Sequence, residues 1–325
     1  MQNPKKLFSN ILVYAEAADA ECVEQVFDLA RRHGAAISVC DVIETPPRMA
    51  DPEGTIARLK TVGWQLAFER LRALCAPHMR HASLDYTVLT GNPFLAITEQ
   101  VIQQRFDLVV HVSDPFADGA GPGLNPIGMH LVRKCPCAVW SMHPGKARVA
   151  SDVVLAVDRD DTGANPRAER LAEQLAVTAQ AIAQARGATL HVVHAWQPYA
   201  EKLLEHPRLG LGAADIETYT RAQEQDHQQW LDKLVARLDD SETSVASHLV
   251  HGTAARVIPE LARRTGAELI VMGTIGTSAV PGVLVGTSAE AILSTTAVPI
   301  LALKPQGFTS PLRFQTEAEL ALQDT

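Results

Sequence analysis

Two glycine-bearing clusters near the end of the chain carry the spacing with the clearest chemical meaning. Gly273-Thr274-Ile275-Gly276 is followed, after nine intervening residues, by Gly286-Thr287-Ser288-Ala289-Glu290. Backbone that lacks a Cβ admits positive φ and lets several N–H groups approach one oxyanion. Thr287 and Ser288 add hydroxyl donors where a helix would open, and there free amides and the helix dipole favour negative charge. The chemistry indicated is capture of a phosphate-like anion. A purely structural reading also stands, with Gly273 and Gly276 as turn residues and Thr287-x-x-Glu290 as a capping box. Both can hold together.

Other motifs are absent or weaker. The chain has no Gly-x4-Gly-Lys-Ser/Thr, no Gly-x-Gly-x2-Gly after its first strand and no Gly-x-Ser-x-Gly. Cys135-Pro136-Cys137 lacks the two further ligands that tetrahedral zinc needs and reads as a pair of buried thiols. His194 and His251 fall at strand ends near the glycine clusters and read as ordinary strand-end histidines, or as one hydrogen-bonding group for a ligand. Beyond Asp158, no residue stands out as a general base or Mg²⁺ ligand, so dedicated catalysis is not expected.

The elements that would position these residues come in two sets, because the chain repeats itself. Residues 83–142 lie over 244–303 at a constant offset of 161, with Gly91 on Gly252, Ile97 on Ile258 and Leu108 on Leu269. Earlier segments match at smaller offsets: 11–16 on 153–158, and 34–37 on 187–190. A repeat this long is a duplicated domain, since solenoid units run about 20 to 50 residues. In the second half, apolar runs at 153–157, 189–196, 245–250, 269–272 and 298–303 read as strands. The stretches 167–186, 215–238, 254–265 and 288–295 read as helices. Apolar runs without clean alternation are what a parallel sheet covered on both faces requires, and strand–helix alternation implies right-handed crossovers. The predicted fold is α/β, two tandem doubly wound domains over 1–146 and 147–305, followed by a tail over 306–325. A helical pattern within 56–79 (Leu59, Val62, Gly63, Leu66, Ala67, Leu71, Leu74) is expected to cover the first sheet, with Trp64 and Phe68 as alternative walls of an apolar cavity.

The spacing Gly-x2-Gly-x9-Gly-Thr resembles the nucleotide-binding signature of the ATP-binding branch of the universal stress protein family. Val153-Val154-Leu155-Ala156-Val157-Asp158, His251-Gly252 and Ala267-Glu268-Leu269-Ile270-Val271-Met272-Gly273 carry its other marks. The resemblance covers nearly the whole chain, as two tandem copies of the stress protein E type. It implies five-stranded parallel sheets of the adenine nucleotide alpha hydrolase-like kind. It further implies that Asp158 contacts ribose or adenine and that Ala195 lines the adenine pocket. Gly273, Gly276, Gly286 and Thr287 would hold phosphates, with Met272 and Ser288 nearby. The implied ligand is ATP, or alternatively ADP or AMP, with Mg²⁺ allowed beside it. The first half departs from the signature, since Val112, Pro115, Asn125 and Pro126 stand where the glycines and threonine would be, and Glu16 replaces Asp158. One intact site and one degenerate site are expected. Pairing of the two domains through 137–142 and 298–303 is also implied, and a homodimer is left open. The role implied is a nucleotide-dependent regulatory protein of the stress response. The alternatives are a slow ATPase in the same pocket, or a first half that holds a hydrophobic, lipid-like metabolite.

Bulk properties agree with this class. The 325 residues are 46% hydrophobic and 20% charged, which excludes collagen, coiled coil and wholesale disorder. Lys plus Arg is 29 and Asp plus Glu is 37, a net charge of −8, so no positive field invites nucleic acid or anionic membrane. Five cysteines make no secreted disulfide framework, and no apolar run approaches a membrane span or a signal peptide, so a cytoplasmic location is expected.

Overall fold

A computed structural model describes residues 6–45, 54–81, 83–113, 123–144, 152–161, 165–238, 243–274 and 285–314. Its contacts divide the chain into two units, the main boundary falling between Ala147 and Arg148. In the N-terminal unit the order is β1 (Asn10–Tyr14), α1 (Ala20–His33), β2 (Ala36–Ile43), α2 (Thr55–Cys75), β3 (Leu84–Thr90), α3 (Pro93–Gln104), β4 (Leu108–Val112), α4 (Pro126–Lys134) and β5 (Ala138–Met142). The C-terminal unit runs β6 (Val153–Val157), α5 (Pro166–Arg186), β7 (Leu190–Trp196), α6 (Glu201–Leu204), α7 (Ala213–Val235), β8 (Val245–His251), α8 (Ala254–Thr265), β9 (Leu269–Gly273), α9 (Thr287–Thr295) and β10 (Ile300–Leu303).

All pairings within each unit are parallel, in the orders β3-β2-β1-β4-β5 and β8-β7-β6-β9-β10. The inner strands β4 and β6 are buried at every residue, whereas the edge strands β3 and β8 are half-exposed. This is the doubly wound arrangement the apolar runs predict. In each unit the strand order reverses direction between the first and fourth strands, which are neighbours. Connections leaving these two strands go to opposite faces of the sheet, and that opens a crevice at their C-terminal ends. In the C-terminal unit those strands are β6 and β9.

Local signals explain the boundaries. Asp19 Oδ1 accepts the Cys22 N–H at 2.8 Å to start α1. Gly91 and Gly252 occupy equivalent turns after the third strands, with φ of 133° and 140°, a region that strains any other residue. The final strand begins at Ile300 rather than 298: the Val298 N–H donates to Thr296 Oγ1 at 3.1 Å, and Pro299 has no N–H to give. The α6 turn was not legible in the sequence.

α2 packs on β2 and β3 as expected, but with fewer of its apolar residues than the pattern indicates. Only Ala67, Leu71 and Cys75 are buried, while Leu59, Val62 and Leu66 are 66%, 51% and 61% exposed. The buried positions recur every four residues along one face, whereas Leu59, Val62 and Leu66 follow another face that is turned to solvent. Trp64 stacks on Phe68 at 5.1 Å, and Phe68 lies 5.5 Å from Tyr86 on the edge strand.

Candidate functional site

The glycine clusters meet at the switch point of the C-terminal unit. The β6–β9 ladder stops at Leu155–Val271, although β6 runs on to Val157 and β9 to Gly273. β9 instead stays paired with β10 as far as Gly273–Leu303, and the Thr274 N–H donates to Leu303 O at 3.0 Å. The chain leaves this place at Thr274 and is back beside it at Gly286, whose N–H donates to Thr274 O at 2.9 Å. Gly273 and Gly286, remote in sequence, are therefore held against one another. Gly276 lies outside the described residues.

Gly286 is the N-cap of α9 in extended conformation, and Thr287 and Ser288 are exposed at the first two helical positions. The capping box expected from Thr287 and Glu290 does not form, because the cap falls one residue earlier on a residue with no side chain. Among the described residues no side chain caps this helix, so its first amides keep their donor capacity. Thr274 is fully buried beneath them, and its Oγ1 has no hydrogen-bond partner. Met272 is buried and Gly273 half-buried at the end of β9.

Asp158 follows β6 and is exposed. It lines a cleft of about 380 Å³ together with Arg159, Asp161, Asp226, Trp230 and Lys233. Arg159 is anchored there to Asp161 at 2.8 Å and to Asp226 at 2.7 Å. Among the described residues, Ala195, Gly273 and Gly286 do not border this cleft, whose lining is mainly acidic. Ala195 is half-buried near the end of β7.

His194 immediately precedes Ala195 and is buried. Its Nδ1–H donates to Val157 O at 3.3 Å, which leaves Nε2 to accept from His227 Nδ1–H at 2.9 Å. The pair ties the end of β6 to β7 and to α7, with Trp230 against one ring and Trp196 against the other. Burial, outweighing the hydrogen bond to Val157, lowers His194 to about 4. His227 is also lowered, mainly by burial and then by the charge of Arg159. His194 is thus a buried histidine near the end of β7, bonded at both ring nitrogens. Its partner was not predicted, since nothing but a fold joins residues 33 apart. His251 is exposed and meets Glu201 at 2.7 Å.

The equivalent place in the N-terminal unit is filled. Tyr14 stands in the position of Ala156 and His111 in that of Met272. Their rings stack at 5.6 Å and 9°, and the β1–β4 ladder continues through them. Val112, in the position of Gly273, is fully buried. Asn125 Oδ1 caps α4 by accepting the Gly128 N–H at 2.8 Å, and Pro126 removes another donor. Pro115 lies outside the described residues. Cys135 and Cys137 are buried thiols with their sulfurs 3.5 Å apart. Among the described residues no three His, Cys, Asp or Glu side chains are arranged to hold a metal ion, and no helix is long and apolar enough to cross a membrane.

A duplicated, all-parallel α/β domain with a glycine-bounded loop at one of its two switch points defines a class of tandem two-domain proteins. The universal stress protein family model matches residues 8–142 and 151–304. The chain belongs to that family, as two tandem copies. It is 25% identical over 236 residues to universal stress protein E of Escherichia coli K12, covering 70% of each chain. The Photorhabdus laumondii universal stress protein E is 22% identical and is matched over 95% of this chain and 99% of its own. Among solved structures, a universal stress protein from Archaeoglobus fulgidus DSM 4304 has the same fold, with a TM-score of 0.56 at 15% identity. That match covers 92% of this chain and 97% of the other.

Proposed function

We propose that this tandem universal stress protein binds one adenine nucleotide per chain, at the switch point of its C-terminal unit, and acts as a nucleotide-dependent regulatory protein. The observation that carries the reading is the bond from Gly286 N–H to Thr274 O. It sets the uncapped start of α9 beside the splayed ends of β6 and β9. Free amides at a helix start suit phosphate oxygens, and a buried, unpaired Thr274 hydroxyl beside them suits a polar guest.

The residues sort by charge along the proposed ligand. Gly273, Gly286, Thr287 and Ser288 hold the phosphate end, with Gly276 assigned to the same group. Asp158, beside an acidic cleft that repels phosphate, takes hydroxyl donors of the ribose. Ala195, small and half-buried, leaves room for the base against the end of β7. ATP, ADP and AMP share this layout, and ATP is the form we assign. Mg²⁺, if it accompanies the phosphates, is held by them rather than by a protein cluster.

Isothermal titration with ATP should give one site per chain. Gly286→Val combined with Gly276→Val should weaken binding at least tenfold with the circular dichroism spectrum unchanged. A wild-type protein that takes up no nucleotide, or a double variant with undiminished affinity, refutes the assignment.

A further inference from the structure

The N-terminal switch point carries Tyr14 and Val112 where the other unit has Ala156 and Gly273, yet its interior is polar. His111 is fully buried, and Ser113 and Ser141 are 3% and 2% exposed. Both ring nitrogens of His111 and the hydroxyls of both serines lack hydrogen-bond partners, although each is sealed from solvent. These residues sit side by side in the sheet. His111 and Ser141 are register partners on β4 and β5, and Ser113 follows two residues after His111, on the same face. The Ser113 N–H continues the ladder by donating to Met142 O at 3.0 Å, and Ser113 O accepts from His143 Nδ1 at 2.9 Å. Tyr14 covers one face of the imidazole, and α4 approaches its edge so closely that a Cβ on Gly128 would lie 3.0 Å from Nδ1.

Burying four polar atoms dry would cost an amount comparable to the whole stability of a domain. A folded domain of this size does not sustain that, so the partners come from outside the described residues. Their chemistry is constrained. A neutral imidazole presents one donor and one acceptor, and each serine can do both, so the guest must donate and accept at short range. A charged guest finds no side chain of opposite charge in the group and would be desolvated without compensation. A large guest is excluded by the near-complete burial of every member.

We propose that the N-terminal unit has exchanged a nucleotide crevice for an enclosed hydration site, in which internal water bridges His111, Ser113 and Ser141. The site is independent of nucleotide binding in the other unit. It gives His111 a role that the resemblance to the family's binding signature does not supply.

The test combines a high-resolution crystal structure of the full chain with thermal melts of Ser113→Ala and Ser141→Ala. Removing a hydroxyl that bonds to water lowers the melting temperature by a few degrees, whereas removing one that is unpaired and dry raises it. Expected results are discrete, water-sized density within hydrogen-bond distance of His111 and at least one serine, with both alanine variants less stable than wild type. An empty interior, extended density from an organic molecule, or alanine variants that melt higher would each overturn the proposal. Serine-to-alanine changes remove only one atom, so failure to fold does not obscure the answer.

Discussion

Acidification should unfold this protein through its buried neutral imidazoles. His194 in the C-terminal unit and His111 in the N-terminal unit are each lowered from 6.5 to about 4, chiefly by burial. The folded state holds both rings neutral, while an unfolded chain binds a proton on each once the pH falls below 6.5. Protons therefore favour the unfolded state between pH 6.5 and pH 4, and the loss stops growing below the folded value. For each ring, lowering the pKa from 6.5 to about 4 corresponds to about 3 kcal/mol of stability lost between pH 7 and pH 4. Domain stabilities are typically about 5 to 15 kcal/mol, so this is a large fraction of either unit's reserve. Urea unfolding at a series of pH values, with the midpoint read by tryptophan fluorescence, measures the slope directly. Histidine C–H resonances followed by NMR assign it, with His194 expected to stay neutral down to pH 5. A midpoint that does not move between pH 7 and pH 4.5, or a His194 resonance titrating near 6.5, would refute the reasoning.

Glutamate at Leu66 should change stability by no more than about 0.5 kcal/mol, because that side chain is 61% exposed on the solvent face of α2. Alanine at the fully buried Leu71, barely more than one turn away, should cost about 2 to 5 kcal/mol, and thermal melts separate the two. Arg105 closes α3 in the left-handed region with φ of 57°, where its counterpart in the second unit is Gly266. Arg105→Gly should therefore stabilise the chain by about 1 kcal/mol in denaturant titrations. Gly128→Ala should do the reverse of what helix propensity favours. The new Cβ would press on His111 Nδ1, and the ring is held by Tyr14, so a net loss of about 1 to 3 kcal/mol is expected by the same measurement.

Much of the architecture was legible because parallel sheets covered on both faces leave uninterrupted apolar runs, and the chain writes that pattern twice. α8 falls on the residues expected, Ala254–Thr265, because Gly252 and Gly266 bracket it with positive φ. The glycine clusters themselves were legible for the same local reason, since missing Cβ atoms and hydroxyls are properties of residues. How much of α2 is buried was not, because its apolar residues are spread over more than one helical face and only packing selects the face that meets the sheet.

What the residue order alone determined is the duplicated α/β class, the family resemblance and the set of atoms available to an anion. Tertiary structure alone decided which of those atoms meet. It clasped Gly286 to Thr274, joined His194 to His227 across 33 residues, and stacked Tyr14 on His111 across 97 to fill the first crevice. Each of these is a contact between separate strands, helices or loops, set by sheet order and register. The cost of an unpaired or paired polar atom depends on burial, which no local pattern encodes.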